Sequence, residues 1–81
     1  MSANWKASRE LVRFEPDEWQ LILRGGHKVG IIRRQVYGRE TWFRAVTWAS
    51  EPRDRQLVGY ARTLDAAATA LWLHQFGKNR D

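Results

Sequence analysis

The chain has 81 residues, a net charge of +5 and no cysteine, which indicates one small domain without a disulfide framework. No apolar run approaches the roughly 20 residues of a membrane span, and the first residues lack the apolar core of a signal peptide. The composition excludes a Cys-containing zinc site, and we expect a cytoplasmic protein that does not associate with a membrane.

The positive charge is concentrated in the middle of the chain. Residues 24–62 carry nine basic side chains against three acidic ones, and 11 of the 14 basic residues are arginine. Arginine is suited to bidentate contacts with phosphate and guanine, and it stacks on aromatic rings. The excess charge therefore falls in the segment whose residue pattern predicts strands.

Residues 1–15 fit two structures, and the sequence leaves both open. Trp5, Leu11 and Val12 fit a short helical stripe, whereas residues 11–14 equally fit an extended segment at the edge of a sheet. Pro16 restricts its own backbone and that of Glu15, so a turn is expected there.

Four segments rich in β-branched and aromatic residues follow, and each predicts a strand: 19–24, 28–37, 41–49 and 56–61. The pair Gly25-Gly26 supplies the positive φ of a tight hairpin, and Gly38 opens the next turn. Residues 50–55 form a polar loop. These features predict an antiparallel β-meander of three to four strands over residues 19–62.

One amphipathic helix is predicted over residues 63–76. Thr63 is a favourable N-cap, and Asp65 places a negative charge in the first turn. Gly77 is the expected stop, which leaves residues 77–81 as a tail. One stripe at helical spacing holds Leu64, Ala67, Ala70, Leu71 and His74. The expected fold is a single α+β domain, in which this C-terminal helix covers one face of the small antiparallel β-meander.

The sequence offers little support for catalysis. His27 lies in a predicted hairpin loop and His74 on a helix flank, and neither has a patterned partner. No set of histidines or carboxylates has the spacing of metal ligands, and the glycines do not precede a helix as a phosphate-binding loop requires. We expect a protein that is not an enzyme, with no metal and no cofactor.

The strands carry arginine interleaved with aromatic residues, and alternate residues of a strand share a face. If Ile32, Val36, Phe43 and Ala45 lie under the helix, the opposite, open face receives Arg33, Gln35, Trp42 and Arg44. The sequence alone does not decide between this placement and its reverse. In this placement Val46 and Trp48 need cover from the N-terminal segment, and an exposed aromatic face would itself indicate a partner.

The run Val-Gly-Tyr-Ala-Arg-Thr-Leu-Asp-Ala-Ala-Ala-Thr-Ala-Leu, residues 58–71, resembles Leu-Gly-Thr-Phe-Asp-Thr-x-Glu-Glu-Ala-Ala-x-Ala-Tyr of the plant Apetala/ethylene-response DNA-binding domain. It is also similar to the arm-site-binding domain of tyrosine-type phage integrases. The resemblance covers about residues 28–76 and implies a three-stranded sheet, covered by one helix, that lies in the major groove. Trp42 would match the tryptophan that opens the second strand, and Arg33 and Arg34 would match its basic first strand. Leu57, however, stands where the plant family has a DNA-contacting tryptophan.

Two functions follow as hypotheses. The first is binding of double-stranded DNA through the open sheet face, with Arg33, Arg34, Gln35, Trp42, Arg44 and Arg62 as contact residues. The alternative is a protein-interaction module, such as a phage- or mobile-element-type accessory protein that docks on a host protein through its tryptophans or its last strand edge. A monomer and a homodimer fit the sequence equally well.

Overall fold

The computed structural model describes residues 9–77 as an antiparallel sheet followed by one helix. The strands lie side by side in chain order, so each pairs with the next through a short connection. A 3₁₀ turn at Pro52–Asp54 precedes the last strand. The elements are β1 (Arg9–Glu15), β2 (Glu18–Leu23), β3 (Lys28–Tyr37), β4 (Glu40–Thr47), β5 (Leu57–Ala61) and α1 (Leu64–Phe76).

The α+β meander with one C-terminal helix is confirmed, but the sheet has five strands rather than three to four. The additional strand is β1, so the extended interpretation of the N-terminal segment is the correct one for residues 9–15. β1 pairs along β2, with Leu11 opposite Leu21 and Val12 opposite Gln20. Trp5, which belonged to the helical alternative, lies outside the described residues.

Glycines form the β2–β3 and β3–β4 hairpin turns, as the sequence predicts. Gly25 and Gly26 have φ values of 96° and 91°, and Gly38 has a φ of 63°. Residues other than glycine rarely adopt such φ values, because their Cβ atom crowds the backbone. The turn at Gly38 sets the β3–β4 register, in which Gly30 pairs with Thr47 and Tyr37 with Glu40.

The helix begins after Thr63, whose Oγ1 accepts a hydrogen bond from the Ala66 backbone N at 3.1 Å. It ends at Phe76 because Gly77 caps it, although Gly77 keeps a right-handed φ of −78° and does not use its access to positive φ. The predicted tail residues 78–81 lie outside the described residues.

The helix covers β3, β4 and β5, and most residues on its buried side are those of the predicted stripe. Leu64, Ala67 and Leu71 pack toward the sheet as expected, but His74 is exposed and Ala68 is fully buried instead. The close approach depends on small residues on both sides, because a Cβ atom at Gly30 would lie 2.7 Å from Leu71 Cδ2. The core consists of Leu21, Val29, Ile32, Ala45, Ala67, Ala68 and Leu71.

Ile32 and Ala45 lie beneath the helix, as the preferred face assignment requires, and Phe43 is half-buried beside them. Val36 was expected there too, but it is 59% exposed. The reason is length: α1 has 13 residues, or about 20 Å at 1.5 Å each. β3 has 10 residues, or about 33 Å at 3.3 Å each, so the helix cannot cover the end that carries Val36.

The described part of the chain contains no helix that is long and apolar enough to cross a membrane.

Candidate nucleic-acid interface

The open face is the side of the sheet turned away from α1. In an antiparallel sheet, directly opposite residues share a face, so the register defines its members. Ile31 pairs with Val46, Arg33 with Arg44, and Gln35 with Trp42. These residues alternate along β3 and β4 with the buried Ile32 and Ala45. The open face therefore includes Glu10, Val12, Glu15, Glu18, Gln20, Ile22, Ile31, Arg33, Gln35, Tyr37, Trp42, Arg44, Val46, Leu57, Tyr60 and Arg62.

Two arginines stand directly opposite each other at the centre of this face. Arg33 on β3 pairs in register with Arg44 on β4, so their Cβ atoms lie about 5 Å apart. Glu18 on β2 is opposite Arg33 and binds it, with Oε2 3.1 Å from Arg33 Nε. Among residues 9–77 no acidic side chain forms a salt bridge with Arg44. The centre of the face thus carries more positive charge than its own carboxylate balances.

A third guanidinium faces the same place from the loop before β5. Arg55 Nε donates to the Ala49 carbonyl oxygen at 2.8 Å, and Arg55 Cζ lies 4.5 Å from the centroid of the Trp48 ring. These contacts hold Arg55 half-buried. Together with Arg33 and Arg44 it lines a depression of about 260 Å³ whose other walls are Glu18, Ile31, Val46 and Pro52. We call this depression the arginine pocket; its charged groups sum to +2.

Three aromatic side chains form an apolar patch beside the arginine pocket. Tyr37, Trp42 and Tyr60 line a shallow hollow of about 290 Å³, which we call the aromatic patch. Tyr37 is 55% exposed and Tyr60 is 49% exposed. Among the described residues the ring pairs are Trp19–Phe43 and Trp72–Phe76, so none of these three rings is stacked on another ring of that part of the chain.

Hydrogen bonds nevertheless hold two of the three patch rings, Tyr37 and Trp42, at their polar atoms. The Tyr37 hydroxyl donates to Gln35 Oε1 at 2.7 Å, and Trp42 Nε1 donates to Glu40 Oε1 at 3.2 Å. Arg62 lays its guanidinium over Trp42, with Cζ 4.5 Å from the ring centroid. Such cation–π contacts contribute about 0.5–1 kcal/mol at exposed sites. Tyr37 and Trp42 are therefore held in position, while Tyr37 and Tyr60 remain about half exposed to solvent.

The structure brings five of the six predicted site residues together. Arg33, Gln35, Trp42 and Arg44 share the open face as the preferred assignment requires, and Arg62 joins them through Trp42.

Arg34 is the exception, because its side chain lies on the helix side of the sheet. There it binds the Asp17 carboxylate, with Nη2 2.7 Å and Nε 2.9 Å from Oδ1. Arg34 cannot act with the open-face arginines on one ligand.

The predicted site lacks Arg55 of the arginine pocket and Tyr37 and Tyr60 of the aromatic patch. Tyr37 shares the alternation of Arg33 and Gln35, and Tyr60 that of Arg62, so the period of two could have identified both. Arg55 had no such signal, since it lies in a loop and reaches the face by its contacts with Ala49 and Trp48. Trp48 receives its cover from Arg55 and from Lys28, whose Nζ lies 4.4 Å from the ring centroid. β1, in contrast, pairs at the edge of the sheet beside β2.

Across residues 9–77, no cluster of three or more His, Asp or Glu side chains could hold a metal ion. His27 and His74 are both exposed, the first in the β2–β3 turn and the second on the outer side of α1.

No family model, no curated protein and no solved structure matches this chain. The resemblance to the Apetala/ethylene-response and integrase arm-binding domains therefore stays a prediction.

Proposed function

We propose that the protein binds nucleic acid through the open face. The observation that carries the proposal is the direct opposition of Arg33 and Arg44 across β3 and β4. Like charges directly opposite in a sheet destabilise it, so their presence is best explained by an anionic partner. The arginine pocket would receive phosphate, for which planar guanidinium groups are well suited.

The surroundings of the two arginines favour a polymer over a small anion. The aromatic patch lies directly beside the pocket, and Arg62 extends the positive charge past Trp42. Alternating guanidinium and ring surfaces match the alternating phosphates and bases of a nucleic acid. The sequence hypothesis of duplex DNA is one form of this proposal.

The test is a fluorescence-anisotropy titration of labelled DNA at several salt concentrations. Each neutralised phosphate contributes about 0.7–0.9 to the slope of log affinity against log salt. The double variant Arg33→Ala, Arg44→Ala should weaken binding at least tenfold and reduce this slope by about 1.4–1.8.

Arg34→Ala is the matched control, since it removes the same side chain one position away on the opposite side of the sheet. We expect it to leave the affinity within twofold of the wild type. Absence of binding at low salt, or an equal loss in the control and the double variant, would refute the proposal.

A second candidate, docking on a protein, is favoured by the free edge of β5. β5 is the last strand of the sheet, and Leu57 and Tyr60 on it are 52% and 49% exposed. A partner strand could add to this edge. In a pulldown after nuclease treatment, recovery of one stoichiometric protein would favour this function over nucleic-acid binding. Leu57→Lys should abolish that recovery, because a charge blocks edge pairing.

A further inference from the structure

The distribution of acidic residues limits what shape of nucleic acid fits the open face. The basic and aromatic side chains lie on β3, β4 and β5, whose outer axes are about 10 Å apart at roughly 4.8 Å per strand. The part of the same face on β1 and β2 carries Glu10 and Glu18 instead. Phosphate is therefore attracted to a narrow band along one side of the sheet and repelled beside it.

A duplex does not match this band. Its major groove separates two phosphate chains by about 12 Å, and a surface that enters the groove must lie between both. The five-stranded sheet spans about 19 Å between its outer axes, and Glu10 and Glu18 occupy the side next to the band. A single strand has one phosphate chain, which the three-strand band can accommodate alone.

The aromatic patch supplies what an unpaired base requires. In a duplex the ring faces of the bases are stacked on each other, so they are not available to a protein surface. In a single strand they can stack on protein rings, and one such contact contributes about 1–3 kcal/mol to binding. Tyr37 and Tyr60 are about half exposed and line the aromatic patch, and hydrogen bonding of Tyr37 to Gln35 fixes the position of one of them.

The patch and the pocket are close enough to act on one strand. Trp42 and Arg44 are two residues apart on β4, which is about 7 Å, and Arg44 pairs in register with Tyr60. A phosphate at Arg33 and Arg44 would thus lie next to a base on Tyr60.

We infer that the open face binds single-stranded nucleic acid, with unpaired bases stacked on Tyr37 and Tyr60 beside Trp42 and the adjoining phosphate in the arginine pocket. This inference rests on the proposed function and specifies its ligand. The contacts are to ring faces and phosphates, so we expect little sequence preference and binding of both deoxyribose and ribose strands.

The experiment compares four probes of about 12 nucleotides, within the site sizes of known single-strand modules: a DNA strand, the RNA of the same sequence, the corresponding DNA duplex, and an abasic DNA strand. The abasic strand keeps the phosphates and lacks the bases. We expect both single strands to bind at least tenfold more tightly than the duplex or the abasic strand.

The variants separate stacking from charge. Tyr37→Ala and Tyr60→Ala should each weaken single-strand binding by roughly 5- to 150-fold and change duplex binding by less than twofold. Tyr37→Phe keeps the ring but loses the hydrogen bond to Gln35, so its loss of affinity should be smaller than that of Tyr37→Ala. Both tyrosines are about half exposed, so the alanine variants should remain folded, which circular dichroism checks. Quenching of tryptophan emission by the strand should disappear in Trp42→Phe.

Two failures are distinguishable. Duplex binding equal to or tighter than single-strand binding, or equal binding of the abasic strand, would overturn the single-strand inference and leave nucleic-acid binding standing. If no probe binds at low salt, or if binding does not depend on Arg33 and Arg44, the proposed function fails and this inference with it.

Discussion

The opposition of Arg33 and Arg44 predicts that Arg44→Gln makes the folded protein more stable while weakening its binding. Favourable cross-strand pairs contribute about 0.2–1 kcal/mol and like charges directly opposite destabilise, so we take a cost of up to about 1 kcal/mol, of the same size and opposite sign. Glu18 compensates one of the two guanidiniums through its 3.1 Å contact with Arg33, so the relief should be about half of that. For a domain of this size about 0.5 kcal/mol raises Tm by roughly 2–4 °C.

Urea denaturation of the ligand-free protein measures the effect. The gain should be largest at low salt and should disappear near 1 M salt, because the Debye length falls from about 10 Å at 0.1 M to about 3 Å. Arg33→Gln is the matched comparison: it relieves the same repulsion but also loses the ion pair with Glu18. Its free energy of unfolding should therefore stay close to that of the wild type.

If Arg44→Gln lowers the free energy of unfolding at low salt, repulsion between Arg33 and Arg44 does not destabilise the fold. Arg44 would then stabilise the fold, and its position would no longer indicate an anionic ligand. A gain in stability without any loss of affinity would also contradict the assignment of Arg44 to the binding surface.

Two further predictions concern the helix that positions the sheet. Gly30→Ala should destabilise the protein by about 1–3 kcal/mol in thermal melts, because its Cβ atom would lie 2.5 Å from the Val46 carbonyl oxygen and 2.7 Å from Leu71 Cδ2. Gly59→Ala is the matched control: no atom lies within 4 Å of the new Cβ, so it should be neutral or slightly stabilising. Thr63→Ala should lower the free energy of unfolding by about 0.5–2 kcal/mol, since it removes the 3.1 Å N-cap hydrogen bond from the Ala66 backbone N. Thr63→Ser keeps the hydroxyl and should retain most of this stability. Equal melting temperatures of the alanine and serine variants would contradict the role of the cap.

The parts of the fold that the sequence predicts are those determined by local chemistry. Thr63 is a cap because its hydroxyl reaches the first turn, and Gly25 and Gly26 form a turn because other residues avoid their φ values. Alternation grouped Arg33 with Gln35 and Trp42 with Arg44 for the same reason: the period of two in a strand depends only on backbone geometry.

What the sequence could not provide depends on contacts between distant segments. β1 has a mixed pattern that fits a strand or a helical stripe, and only the free edge of β2 selects the strand. Arg55 has no periodic neighbours, and it reaches the open face because Trp48 and the Ala49 carbonyl hold it. The exposure of Val36 follows from the relative lengths of α1 and β3, which no local pattern encodes.

The separation of core and open face determines how binding experiments on this protein should be interpreted. Seven buried hydrophobic residues of the described part of the chain form one cluster, which includes three residues of α1. Arg33, Tyr37 and Tyr60 contribute none of this buried surface, and their side chains are exposed. Truncating them removes contacts to a ligand and leaves the core intact, so a loss of affinity can be assigned to the open face. Variants at Gly30 or Leu71 cannot serve this purpose, because they would change the helix–sheet contact and with it the whole domain.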